Sequence, residues 1–113
     1  MTQRIDHLIN GKPVAGADYF ETINPATQGV LAEVASGTEA EVNAAVQAAK
    51  EAFPKWAGLP ATERAKKIRA LGELIAKHVP EIAQTETSDT GQVIAQTGKQ
   101  LIPRAADNFS YFA

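Results

Sequence analysis

Apolar and polar residues alternate in short runs over the first third of the 113-residue chain, and this pattern predicts β structure. Ile5, Leu8 and Ile9 precede Asn10-Gly11. An Asn-Gly pair between two such runs is the strongest short signal for a hairpin turn. The sequence therefore predicts a β-hairpin near the start of the chain.

Two further strands are predicted after this hairpin. Residues 19–23 are aromatic and β-branched, and residues 30–34 alternate at period two. The segment between them, Asn24-Pro25-Ala26-Thr27-Gln28-Gly29, is rich in turn residues. Pro25 fixes its own φ, and we expect Gly29 to supply the positive φ that the turn needs.

The spacing of apolar residues changes to that of a helix after Gly37. Thr38 is followed three residues later by Glu41, which is a capping box and predicts a helix start. We expect the two large aromatic residues of this helix, Phe53 and Trp56, to anchor it on the hydrophobic core. The apolar residues at helical spacing are Val42, Ala45, Val46, Ala49, Phe53 and Trp56.

Three more helical segments are predicted in the rest of the chain. In the first, one face is apolar and the cationic residues, Arg64 among them, face water. A second segment over residues 81–88 ends at Asp89-Thr90-Gly91, and a third runs from Val93 with an interruption at Gly98 or Pro103. The residues expected to face inward from the first segment are Ile68, Leu71, Ile75 and Val79.

The last eight residues, 106–113, read as an apolar, aromatic helical stretch that no capping Gly or Asn and no charged tail follows. Such an end predicts a partner surface, so we expect the chain to be the front part of a longer protein. The length suits one domain, and much of the apolar fraction is alanine, which buries little area.

Composition excludes several classes of function. The chain has no cysteine, so its own residues provide neither a disulfide nor a cysteine nucleophile. The formal net charge of −2, with both signs interspersed, gives no electrostatic reason to expect nucleic-acid binding. No apolar run approaches the ~20 residues of a membrane span. We therefore expect a cytoplasmic protein without nucleic-acid or membrane partners.

Candidate catalytic groups are sparse. His7 and His78 have no partner at ligand spacing, and a structural role is the simpler interpretation for both. Asp89 has three interpretations: a residue of a plain helix stop, a catalytic carboxylate, or a ligand of a hard cation held by nearby carbonyl oxygens. No glycine-rich phosphate loop is present. The residues alone therefore predict a scaffold without a catalytic constellation.

Several motifs together resemble the NAD(P)-dependent aldehyde dehydrogenase family. Leu8-Ile9-Asn10-Gly11-Lys12 is similar to the family's opening hairpin, and Asn24-Pro25-Ala26-Thr27 to its Asn-Pro turn, although Gln28 precedes the glycine here. The Ala52-Phe53…Trp56 pattern resembles its first helix. Glu86…Asp89-Thr90-Gly91 resembles another family element, with Gln92 in place of the commoner lysine. Residues 101–112 are similar to semialdehyde dehydrogenases of bacterial aromatic-acid breakdown.

The resemblance implies an α/β parent with the aldehyde dehydrogenase fold. In that fold this chain would be an N-terminal β-hairpin and short strands followed by three to four helices. Residues 1–113 would form the N-terminal part of the NAD-binding domain, which is an incomplete domain. The parent would oxidise a (semi)aldehyde with NAD or NADP through a catalytic cysteine. The matching positions include neither that cysteine nor the nucleotide contacts, so we expect no catalytic residue, no bound nucleotide and no activity in the chain alone.

The resemblance also implies a structural monovalent cation. In many family members, backbone carbonyls just before the Asn-Pro element and the aspartate of the Asp-Thr-Gly element hold it. The matching positions are Thr22, Ile23 and Asp89. The expected partners are the remainder of the dehydrogenase subunit, or a second copy through exposed helices. The alternative is an autonomous small α+β interaction module with a closed core and no enzymatic activity.

Overall fold

A computed structural model describes residues 2–113 of the chain, which divide into two compact units. The first unit runs to Asn24 and continues over Gln28–Gly58, and the second comprises Pro25–Thr27 and Leu59–Ala113. The first holds the strands β1 (Gln3–Ile5), β2 (His7–Ile9), β3 (Lys12–Val14), β4 (Asp18–Ile23) and β5 (Val30–Ser36), and the helix α1 (Glu39–Ala57). The second holds α2 (Ala61–Lys77), α3 (Val79–Thr90), α4 (Ile94–Gln96), a π-helical turn (Thr97–Leu101) and α5 (Ile102–Phe112).

The predicted opening hairpin is confirmed. β2 and β3 pair antiparallel, with Ile9 opposite Lys12. The two residues between them have positive φ, 53° at Asn10 and 72° at Gly11, as a type I′ turn requires.

A separate three-stranded sheet has β5 at its centre, parallel to β1 and antiparallel to β4. Two alanines of β5, Ala32 and Ala35, are buried. A Cβ at Gly16 would lie only 2.8 Å from the Cβ of Ala35, so the chain passes close to β5 at that point. The pairing of β1 with β5 was not predicted, because alternation along a strand does not identify its partner.

The turn between β4 and β5 corrects one expectation. The positive φ, 61°, belongs to Gln28, and Gly29 does not adopt one. The Gln28 N–H donates to the Asn24 carbonyl at 2.8 Å, and the Asn24 N–H donates to the Gly29 carbonyl at 2.9 Å. Closing the turn in this way places residue 28 in the left-handed region, which costs an L-residue roughly 1–2 kcal/mol.

The capping box at the start of α1 is confirmed. The Thr38 side chain accepts from the Ala40 N–H at 3.3 Å, and the Thr38 N–H donates to the Glu41 carboxylate at 2.8 Å. The hydrogen bonds from the Thr38 side chain and backbone hold the pKa of Glu41 below its ordinary value. Their contribution to α1 is therefore present at neutral pH and is lost as the pH falls through that lowered pKa.

The expectation that Phe53 and Trp56 anchor α1 on a core is wrong. Phe53 is 65% exposed, Trp56 is 38% exposed, and no residue of α1 is buried. Within its unit α1 packs on β2, whose three residues offer too short a surface to cover an apolar stripe that runs the length of the helix. Helical spacing identifies an apolar face but not the surface that covers it.

The helices α2 and α5 approach each other closely at Gly72. A Cβ at this position would lie 2.9 Å from the Ser110 hydroxyl oxygen and 3.0 Å from the Ala106 carbonyl oxygen, and both Gly72 and Ala106 are buried. The face of α2 that contains Gly72 therefore packs against α5. Two expectations are corrected, namely that Leu71 faces inward and that Arg64 faces water. Leu71 is 41% exposed, and Arg64 is half-buried with its guanidinium donating to the Leu59 carbonyl.

The interruption predicted at Gly98 is confirmed as the π-helical turn, while Pro103 lies at the start of α5, where proline is tolerated. Thr97, at the start of the turn, has no exposed surface. Its hydroxyl lies 2.9 Å from the Thr87 hydroxyl and donates to the Ile94 carbonyl at 3.1 Å. These bonds satisfy a polar group that would otherwise be buried without a partner.

Gly72→Ala and Gly98→Ala are expected to change stability in opposite directions. Alanine is favoured over glycine in helices by about 1 kcal/mol, so helix propensity favours both changes. At Gly72 the new methyl group meets the Ala106 backbone, and we expect a net loss of about 1–3 kcal/mol from overpacking. At Gly98 the nearest atom, the Ala83 Cβ, is 3.8 Å away, which is an ordinary contact. Urea unfolding of the two variants measures both effects, and a gain in stability at Gly72 would contradict the close approach.

Candidate functional site

The two carbonyl residues of the predicted cation site lie at the end of β4. Thr22 pairs with Ala32 and Ile23 with Val30, so the register shifts between them and Leu31 is passed over. Such a bulge leaves a residue out of the ladder and bends the strand. The extra residue, Leu31, belongs to β5, so the irregularity of the ladder lies opposite the two residues that the resemblance implies as carbonyl ligands.

The third residue, Asp89, is exposed in the last turn of α3. The helix stop is confirmed, since Gly91 has a φ of 77° and its N–H donates to the Thr87 carbonyl at 3.0 Å. The carboxylates of Glu86 and Asp89 both lie near the negative end of the helix dipole, and the last turn contains no basic residue. This arrangement favours a cation supplied from outside α3.

Besides the positive φ at the end of α3, a close contact with Pro25 also requires glycine at position 91. A Cβ at this position would lie 2.9 Å from Cγ of Pro25, so the proline of the Asn-Pro turn packs directly on the glycine of the Asp-Thr-Gly element. Both residues belong to the second unit. The structure thus brings together two motifs that are far apart in the sequence.

Carbonyl and carboxylate oxygens are suitable ligands for a hard cation. Thr22 and Ile23 belong to the first unit and Asp89 to the second, so the assignment of these three residues to one site stays a prediction. Over residues 2–113 no group of three or more His, Cys, Asp or Glu side chains could hold a metal ion.

Neither histidine belongs to a group of three or more metal-ligating side chains among residues 2–113. The His7 Nε2 atom, on β2, is buried without a hydrogen-bond partner among the described residues. His78 follows the last residue of α2, and its Nδ1 lies 3.0 Å from the Glu81 carboxylate. The sequence interpretation missed this pair, although the spacing of three residues at the start of α3 is compatible with it.

A cluster around Tyr19 was also missed. The Tyr19 hydroxyl donates to the Asp6 carboxylate at 2.5 Å and accepts from the Gly16 N–H at 3.0 Å. The Arg4 guanidinium lies 4.2 Å from the centre of the Tyr19 ring and 3.5 Å from the Glu33 carboxylate. The hydrogen bond to Asp6 raises the pKa of Tyr19, which keeps the phenol neutral and suits a structural role.

The second unit presents two open grooves. One, of about 330 Å³, lies between α2 and α5, and the other, of about 550 Å³, lies between α3 and the segment that follows it. The first is lined by Ile68, Asn108, Phe109 and Phe112, and Phe112 is 80% exposed. Apolar walls without converging acid or base groups suit a packing partner better than a reaction. None of the helices over residues 2–113 has the length and apolar character needed to cross a membrane.

Comparison with known proteins gives a consistent result. The family model described as the aldehyde dehydrogenase family matches residues 13–113. The chain is 63% identical over 111 residues to 5-carboxymethyl-2-hydroxymuconate semialdehyde dehydrogenase from Escherichia coli, covering 98% of this chain and 24% of that protein. It is 33% identical over 109 residues to 2-aminomuconic semialdehyde dehydrogenase from Homo sapiens, covering 96% and 22%. The chain thus spans about a quarter of the length of these curated relatives.

Solved structures show the same relationship. The crystal structure of HpcC from Thermus thermophilus superposes with a TM-score of 0.92 at 38% identity, covering 97% of this chain and 22% of that one. The NAD⁺ complex of an aldehyde dehydrogenase from Bacillus cereus gives a TM-score of 0.93 at 38% identity, covering 97% and 23%. The expected short strands and helices match the N-terminal part of these structures, which confirms the predicted fold class.

Proposed function

The chain belongs to the aldehyde dehydrogenase family, and from this premise we propose that residues 1–113 are the N-terminal part of the NAD-binding domain of a semialdehyde dehydrogenase. The parent enzyme would oxidise a semialdehyde to the acid, with NAD or NADP accepting the hydride. The observation that carries the proposal is the 63% identity over 111 residues to a semialdehyde dehydrogenase. A cytoplasmic location stays a prediction.

In this proposal the chain serves as scaffold. It has no cysteine to attack an aldehyde, and the part of the chain that the structure describes contains no group of three or more His, Cys, Asp or Glu side chains that could hold a catalytic metal. The residues of the chain instead fix the positions of its helices and strands. The hairpin turn, the Thr38 cap and the contact between Pro25 and Gly91 fix the paths of the elements that the remainder of a subunit would cover.

The proposed function is tested with a chimera. Residues 1–113 of this chain replace the matching segment of the Escherichia coli relative, and NADH formation from 5-carboxymethyl-2-hydroxymuconate semialdehyde is followed by absorbance. We expect the chimera to retain activity and the isolated chain to have none, because the isolated chain contains no cysteine nucleophile. A soluble chimera without activity, or NADH formation by the isolated chain free of contaminating enzyme, would contradict the proposal.

We also propose that the carbonyls of Thr22 and Ile23 and the carboxylate of Asp89 contribute to a monovalent cation site. The support is the bulge of β5 opposite the carbonyl residues and the two carboxylates, Glu86 and Asp89, near the end of α3, whose last turn has no basic residue. Without a cation, Asp89→Asn should stabilise the protein by about 0.3–1 kcal/mol, because it removes an anion from the negative end of a helix.

The measurement is thermal unfolding of the active chimera in potassium, sodium or a bulky organic cation at equal ionic strength. Bound K⁺ or Na⁺ should reverse the effect of Asp89→Asn on stability. The substitution should lower the melting temperature in potassium or sodium and raise it in the bulky cation. Asp107→Asn, an exposed aspartate inside α5, is the matched control and should not respond to the identity of the cation. An equal response of both variants would refute the site.

The autonomous interaction module remains the second candidate, and the exposure of the last helix argues against it. Phe112 is 80% and Tyr111 is 82% exposed, whereas a module with a closed core would bury such rings.

We expect the isolated chain to self-associate through the last helix, α5, since burying an exposed Phe yields about 1.5–3 kcal/mol. Sedimentation equilibrium should show dimers or larger species that Phe112→Ser weakens. Lys77→Ser, on the exposed side of α2, should have no effect, and a monomer at high concentration would favour the module.

A further inference from the structure

The tip of the first hairpin combines three features that favour chemical modification. Asn10 is followed by Gly11, and both residues are exposed. The β2–β3 ladder pairs Ile9 directly with Lys12, so Gly11 lies outside it. Nothing lies within 4 Å of the position that a Gly11 Cβ would occupy, so this side of Gly11 faces open space.

We propose that Asn10-Gly11 is a site of spontaneous deamidation with an isoaspartyl product. The Gly11 backbone nitrogen attacks the carbonyl carbon of the Asn10 side-chain amide, and the new C–N bond closes a five-membered succinimide. The amide nitrogen leaves as ammonia and takes up the Gly11 proton. Water then opens either ring carbonyl, which gives aspartate or isoaspartate at position 10. The net change is the gain of one water and the loss of one ammonia.

The stability of the hairpin sets the rate of succinimide formation, because the attack requires Asn10 to leave its turn conformation. β2 and β3 have three residues each, every residue of β3 is exposed, and Leu8 is exposed at the centre of β2. Because β3 is exposed along its whole length, its pairing with β2 opens at small cost in free energy, although β2 also contacts α1. An open groove of about 280 Å³ beside Leu8, Ile9, Asn10 and Gly11 keeps the site accessible to water.

The two products affect the fold differently. Aspartate followed by glycine also favours a type I′ turn, so this product keeps the hairpin and adds one negative charge. Isoaspartate routes the backbone through the former side chain, which lengthens the turn and is incompatible with the Ile9–Lys12 pairing. The isoaspartyl α-carboxylate is also the group that a repair carboxyl methyltransferase would recognise.

The chain contains its own controls for the experiment. Its other asparagines are Asn24, which precedes a proline without an N–H, and Asn43 and Asn108, which lie inside α1 and α5. The full chain is incubated in mildly alkaline buffer, and peptide mapping by mass spectrometry follows the conversion at each asparagine. We expect Asn10 to convert at least about tenfold faster than Asn43 and Asn108, with half or more of its product methylated by an isoaspartyl methyltransferase.

A parallel incubation in urea separates the effect of sequence from that of structure. Unfolding should accelerate conversion at Asn43 and Asn108 much more than at Asn10, because the helices protect the former and the hairpin protects Asn10 weakly. Asn10→Gln should abolish the methylated product, since the longer side chain closes the ring poorly. Equal rates at Asn10 and Asn43 in the folded chain, or protection of Asn10 as strong as that of Asn108, would overturn the proposal.

Discussion

Close approach of backbones at small residues is the constraint on which both units depend. Gly72 lets α2 contact the Ala106 carbonyl of α5, and Gly16 passes against Ala35 of β5. The buried apolar side chains over residues 2–113 are all alanines. Alanine and glycine allow elements to pack tightly, but they bury little apolar area, so each contact adds little free energy. Many of the large apolar side chains lie exposed at the surfaces of the units, where a further surface could pack on them.

The elements that could be predicted from the sequence depend on near neighbours. The Asn10-Gly11 turn, the Thr38–Glu41 cap and the Gly91 stop each arise from residues within a few positions of one another, and all three are confirmed. The errors arise where the outcome depends on contacts or hydrogen bonds that residue preference does not reveal. Phe53 and Trp56 lie on a correctly predicted apolar face, but the pattern of a helix does not show whether a surface covers that face. The positive φ fell on Gln28 instead of Gly29 because the hydrogen bonds of the turn decide the conformation, and residue preference alone does not determine them.

The candidate site could likewise be predicted only in part from the sequence. The resemblance assigned Thr22, Ile23 and Asp89, but it did not indicate the bulge of β5 opposite Thr22 and Ile23 or the absence of a basic residue from the last turn of α3. The contact of Pro25 with Gly91 explains in physical terms why an Asn-Pro turn and an Asp-Thr-Gly stop occur in one chain, since the ring fills the space that a side chain at position 91 would need. The Tyr19 cluster and the Thr87–Thr97 pair could not be predicted, because their partners lie on different elements with no regular spacing between them.

The parallel pairing of β1 with β5 has a consequence for the order of folding. β4 and β5 are joined by a short turn, so their antiparallel pairing closes a small loop and can form early. β1 pairs Gln3 with Ala32, and this pairing closes a longer loop that contains the hairpin, β4 and the turn. Because β1 has only three residues and lies at the edge of the sheet, it is the strand expected to dock last and to detach first. During synthesis on the ribosome, β1 would therefore remain without its β5 partner until β5 has followed it out of the exit tunnel.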